Sequence, residues 1–168
     1  MLAGLRPLLV TSRYDDPAQK VFFVDGRFVV ATGGRGVAEL SDEAIYLAIS
    51  VRNAGSGIAV EHGWSLSVDP DPRSAHASPD SFHRLTRDLF IAPGDVGFWQ
   101  GALREPSAAE FAAARRTIEA REPLTIDILY GDQDGGQRCI TRFRLTPYQD
   151  AWLASVGRHW MLDRPQPR

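Results

Sequence analysis

The 168-residue chain has one cysteine and one lysine, and no apolar run long enough to cross a bilayer. A single thiol, Cys139, excludes an intrachain disulfide and a zinc site built from cysteines. It lies in the alternating run QRCITRF, which reads as a strand holding a buried, inert thiol. Lys20 is the only lysine, so arginine supplies nearly all of the 19 basic residues. Ion pairs in this protein are therefore built with a forked, bidentate donor. A spanning helix needs about 20 apolar residues, and the opening LAGLRPLLV is too short and interrupted for a signal-peptide core. The expectation is a soluble, cytoplasmic chain with no direct membrane insertion, peripheral membrane association being left open. A net charge of −2 argues against a general affinity for nucleic acid.

Catalytic signatures are scarce as well. There is no H-E-x-x-H, no G-x-S-x-G elbow and no G-x-x-x-x-G-K-[ST] loop. His62, His76, His83 and His159 fall in no metal-ligand spacing. Asp132-Gln133-Asp134-Gly135 echoes half a calcium loop, but the closing glutamate is missing and Asp-Gly is what a hairpin turn demands. No catalytic residue, cofactor or metal site is expected. A site assembled from distant residues would need groups such as His62, Asp88 and His159 to converge.

The chain is rich in strand patterns. Tyr46, Ala48, Ser50 and Arg52 alternate with Leu47, Ile49 and Val51, a period of two. Asn53, Gly55 and Gly57 supply the turn that follows, and Ile58 to Trp64 reads as the strand returning beside the first. Lys20–Val24 and Arg27–Ala31 flank Asp25-Gly26, a hairpin signal. Leu124–Tyr130 and Arg138–Leu145 flank a second turn built on Asp134 and Gly135. Thr32 to Gly36 reads as a flexible connector. Residues 69–80 read as a mobile surface loop, 82–91 as a mixture of helix and strand, and Val96–Leu103 as a strand at a bulge or edge. Ser107–Arg121 is the one helix, with a capping box from Ser107 to Glu110 and Phe111, Ala114 and Ile118 on one face. Gln149–Met161 fits a short helix or a closing strand, and 163–168 reads as a disordered tail.

These motifs carry a resemblance. SVRNAGSGIAV resembles the N-x-G strand–turn–strand signature of bacterial immunoglobulin-like sandwich modules, the CARDB-like ones among them. LFIAPGD is similar to their later proline-glycine turn, and ILYGDQDGGQRCITRF to a closing hairpin in uncharacterised bacterial proteins. The resemblance implies a mostly β chain, an immunoglobulin-like antiparallel sandwich; the expectation is one such domain over 1–168, ordered from about 5 to 162, with the α-helix at about 107–121 an insertion that a minimal sandwich does not need. It implies no catalytic residue, because such modules bind or space. The expected core includes Ile45, Leu47, Ile49, Val51, Ile58, Val60, Ile126, Ile128, Ile140 and Phe143.

The function this supports is a non-catalytic protein-interaction module that binds an unidentified protein partner or its own copy. Its candidate surface joins arginines to aromatics: Trp64, Arg84, Arg87, Trp99, Arg158 and Trp160. The alternative is a small-ligand or carbohydrate-binding domain, with indoles beside the 69–80 loop.

Overall fold

The computed structural model describes residues 5–69, 71 and 73–163, and of Thr86 and Arg87 the backbone alone. The expectations for the Arg87 side chain, and for the tail beyond Asp163, lie outside the described residues. Eleven strands and one helix follow in order: β1 (Leu9–Thr11), β2 (Gln19–Phe22), β3 (Phe28–Ala31), β4 (Arg35–Leu40), β5 (Ile45–Asn53), β6 (Ala59–Ser67), β7 (His83–Ile91), β8 (Val96–Leu103), α1 (Ala109–Glu119), β9 (Leu124–Gly131), β10 (Cys139–Tyr148) and β11 (Ala151–Met161). A 3-10 turn, Pro79–Ser81, precedes β7. The chain is mostly β, every pairing is antiparallel, and the arrangement is sandwich-like.

One wall of the sandwich is β8–β5, with β4 and β1 sharing the far edge of β5 end to end: β4 along Ile45–Ile49, β1 along Val51–Asn53. The other wall is β11–β10–β9–β6–β7. The walls meet where β11 reaches over to β4 through Trp152 opposite Gly36 and Leu153 opposite Arg35. Between them lies one apolar core, with Leu47, Ile49, Trp99, Ile126, Ile128 and Phe143 all fully buried. Helix α1 closes one end by inserting Phe111, Ala114 and Ile118 into that core.

The stretch Ile45–Trp64 departs from the expected hairpin. β5 and β6 do not pair with each other; β5 pairs with β1, β4 and β8, and β6 with β7 and β9. The turn between them is an arch that carries the chain from one wall to the other. β5 is buried on both faces, which hides its alternation. Its inward residues enter the core, while Tyr46 and Ala48 on the outer face are covered by Val21, Phe23, Val29 and Ala31 of the β2–β3 hairpin. Burying three such large side chains contributes roughly 5–8 kcal/mol, which holds a two-stranded sheet that would be marginal alone.

Other local expectations are corrected as follows. Residues 83–91 are strand throughout, with no helix in them, and of the two readings of 149–161 the closing strand is the one that forms. The capping box does not form: Ala108 stands at the helix N-cap with no side-chain bond, and Glu110 reaches His83 instead. Gly33 and Gly34 are buried rather than in a flexible connector. A Cβ on Gly33 would lie 2.0 Å from the Arg13 carbonyl oxygen, so only glycine lets the two segments touch. The 69–80 loop is tied down at Ser74, whose carbonyl accepts from Arg142. Of the expected core, Ile58 is only half-buried, and Ile140 packs in an outer cluster with Phe82 and Leu129.

Candidate functional site

At the end of the sandwich opposite α1, the β5–β6 arch and the segment before β1 interlock. Asn53 is fully buried and uses both ends of its amide. Its Oδ1 accepts from the N–H groups of Leu8 (3.1 Å) and Gly55 (3.0 Å), and its Nδ2 donates to the carbonyls of Gly57 (2.7 Å) and Ile91 (2.9 Å). The Arg6 carbonyl accepts from Ser56 and Gly57, and Leu8 from Ala54. A Cβ on Gly55 would meet that same Arg6 oxygen at 2.1 Å, so this glycine permits the contact. The arch is thus a clamp on residues 6–8, and it fixes where Arg6 emerges.

Arg6 emerges over a cavity of about 410 Å³ whose walls include Leu8, Tyr130, Cys139, His159 and Met161. Cys139 and Met161 are opposite each other across β10 and β11, and Cys139 faces Tyr130 across β9, so one register row supplies three of these walls. Beside them runs a chain of hydrogen bonds whose direction can be assigned. The Leu9 N–H donates to the Tyr130 hydroxyl oxygen (3.1 Å), and the Thr141 hydroxyl donates to the Leu9 carbonyl (3.1 Å). Having spent its only proton there, Thr141 Oγ1 accepts from the Tyr130 hydroxyl (2.7 Å) and from His159 Nδ1–H (2.9 Å). Burial lowers the His159 pKa, which favours the neutral ring, so Nδ1 holds the proton and Nε2 remains an acceptor. Burial pushes the Tyr130 hydroxyl up to about 12 and raises the Cys139 thiol, so both keep their protons. Among the described residues the Arg6 Nε is buried without a partner, and its Nη1 reaches the Met161 sulfur, at 3.7 Å.

Glu61 continues the same row, opposite Tyr130 on one side and Leu89 on the other. It is 2% exposed, and neither carboxylate oxygen has a hydrogen-bond partner. Desolvation lifts its pKa well above the usual carboxylate range, so the group favours its protonated, neutral form. The indole N–H of buried Trp99 is also unpartnered.

The candidate surface residues separate. Trp64 and Trp99 are buried and contact each other edge to face, 5.4 Å between centroids, so they are core residues rather than an exposed surface. Arg84 lines a different cleft of about 340 Å³, where His83 stacks on Trp64 (4.5 Å) and points Nε2 at both oxygens of Glu110 (3.0 Å each). Arg158 and Trp160 do come together: the guanidinium lies 4.8 Å from the indole centroid, with Arg142 at 4.9 Å. His76 of the 69–80 loop adds an edge contact to Trp160 at 4.9 Å, so that loop does border an aromatic. His159 stands three strands from β6, about 14 Å at the usual strand spacing. It does not join His62, which feels Asp88 electrostatically. Asp132 Oδ1 accepts from the N–H groups of Asp134 and Gly136, and Gly135 takes φ +82°, so this segment is a turn.

A second surface lies on the β2–β3 hairpin. Its inner face packs on the outer face of β5; its outer face shows Phe22 (49% exposed), Phe28 (46%) and Val30 (47%), with Val24 (77%) just past the end of β2. Phe22 and Phe28 are cross-strand partners with rings 5.5 Å apart, and Lys20 places its ammonium 4.6 Å from the Phe28 centroid. The hairpin is anchored beneath by the Tyr46 hydroxyl donating to Asp25 (2.5 Å), joined by Arg104 (3.0 Å). Those two bonds and the Arg27 N–H hold the Asp25 carboxyl down at about 2. Arg6, Glu61 and this apolar face belong to no sequence motif; only the alternation of Phe22 and Val24 with Val21 and Phe23 hinted at the last.

Comparison with protein-family models, with curated proteins and with solved structures gives no match. No helix among the described residues is long and apolar enough to cross a membrane.

Proposed function

We propose that the protein is a non-catalytic interaction module that docks a protein partner, or a second copy of itself, on the outer face of the β2–β3 hairpin. The observation that carries this reading is the cluster of Phe22, Phe28 and Val30 exposed on one sheet face, with Val24 exposed just past β2. They present on the order of 300 Å² of apolar surface, the size that marks an interaction site. Paired phenylalanines with a cation at their edge have the make-up of an interface centre. The resemblance to immunoglobulin-like modules supports the same class. Native mass spectrometry of gently purified protein tests it: a retained protein or second copy is expected, and it should be lost in Phe22→Ser/Phe28→Ser. Both side chains lie outside the core, so that variant keeps its fold. A wild-type chain that stays alone, or a variant that keeps its partner, overturns the reading.

A second reading, a small-ligand-binding domain, is favoured by the cavity below Arg6. Its mostly apolar walls suit an apolar ligand better than a sugar, and Trp160 is already flanked by two arginines.

A further inference from the structure

We propose that the cavity at the open end of the sandwich binds a small organic carboxylate with an apolar body, its charge received by Arg6. The proposal rests on the small-ligand reading and gives that ligand its chemistry.

Arg6 is the starting point. Its backbone is fixed by the arch through Ser56 and Gly57, so the position of its side chain is prepared before any ligand arrives. Its Nε is buried with no acceptor, and no carboxylate of the described residues pairs with its guanidinium. A buried guanidinium N–H without a partner carries a desolvation cost that an incoming carboxylate would remove. Four other arginines have a carboxylate: Arg52 with Asp16, Arg104 with Asp25, Arg138 with Asp163 and Arg142 with Asp127. Arg6 lines a cavity and has no such carboxylate among the described residues.

The walls set the rest of the ligand. Leu8, Tyr130, Cys139 and Met161 offer little hydrogen bonding, because the Tyr130 hydroxyl is already engaged on the far side by Leu9 and Thr141. One cation above an apolar chamber of about 410 Å³ matches a compact amphipathic anion. A phosphate monoester would bring more charge than one guanidinium meets, and a sugar more hydroxyls than these walls satisfy. The free Nε2 acceptor of His159 offers one secondary hydrogen bond to a ligand that carries a donor.

Isothermal titration of the full chain with octanoate, below its aggregation concentration, and with octanamide, its neutral isostere, tests this. Octanoate should bind saturably and at least about tenfold more tightly than octanamide, the scale of one charge-assisted pair. Arg6→Gln should erase that difference. Ala54→Phe, which fills the cavity from its exposed rim, should abolish both. Equal binding of the two ligands, or an unchanged octanoate affinity in Arg6→Gln, overturns the carboxylate proposal and leaves the small-ligand reading standing. If neither ligand binds the wild-type chain, or Ala54→Phe binds both normally, the cavity reading falls with it.

Discussion

Asn53→Ala tests whether the arch, rather than a hairpin, organises the fold. The wild-type amide makes four hydrogen bonds of 2.7–3.1 Å, tying Leu8, Gly55, Gly57 and Ile91 to one buried point. At about 1 kcal/mol for each net bond, their removal costs roughly 4 kcal/mol, and the groups left dry at Leu8 and Ile91 push the figure up. Against a total stability of about 5–15 kcal/mol that is a large fraction. For a chain of this size it corresponds to a fall in Tm of about 8–16 °C. Urea unfolding followed by tryptophan fluorescence would read it as a lower midpoint at unchanged slope. Asn53→Asp sharpens the test, since it keeps the two accepted bonds but faces the Gly57 and Ile91 carbonyls with a carboxylate. That group's folded pKa would be raised, so its stability is present at low pH and lost as pH rises. A loss under about 1 kcal/mol in the alanine variant, or no pH dependence in the aspartate variant, would refute the clamp.

Glu61→Gln should match the wild type near pH 4 and become the more stable protein as pH rises. The native carboxyl has a raised pKa, and the advantage of holding its proton is lost above the unfolded value of about 4.5. Paired urea curves at pH 4 and 7.5 check this, and a gap that does not grow with pH contradicts it. Arg142→Ala should cost about 3–5 kcal/mol, because it strands the buried Asp127 carboxylate that Arg142 meets at 2.8 and 2.9 Å. Replacing both partners by Asp127→Leu/Arg142→Met should recover most of that loss, and hydrogen exchange near Ser74 should quicken in the single variant. Gly101→Ala should cost about 1–3 kcal/mol by driving a methyl within 2.7 Å of Trp99 and 2.8 Å of Trp64, read by thermal unfolding.

The strands and the helix are legible in the sequence because their signals are local. Asp25-Gly26 and the 132–136 turn mark true hairpins, and Phe111, Ala114 and Ile118 mark the buried stripe of α1. Pairing is less legible. The turn at Asn53–Gly57 has hairpin composition, yet its decisive bonds run to Leu8 and Ile91, 45 and 38 residues away. Ser107 and Glu110 have the capping-box spacing, but His83 competes for the carboxylate from another strand. The tryptophans were legible as large apolar residues, whereas which of them would be covered depends on how the two walls face each other. Arg6 carries no local signal at all, because a clamp elsewhere in the chain gives it its position.

The junction between the walls has a consequence for how the molecule acquires its shape. β11 is in register with β4 through two residue pairs, Trp152–Gly36 and Leu153–Arg35, with one further bond from the Ala154 N–H to the Gly34 carbonyl, and these partners lie far apart along the chain. The β9–β10–β11 meander and the β2–β3 hairpin can form from nearby residues within microseconds. The seam must instead wait for a loop of roughly a hundred residues to close, at an entropic cost that its two pairs do not repay until the core has packed. Folding should therefore be slow for the chain's size, with the seam joining last. In the finished protein the same two pairs should be among the earliest to open to exchange, ahead of the long ladders on either side.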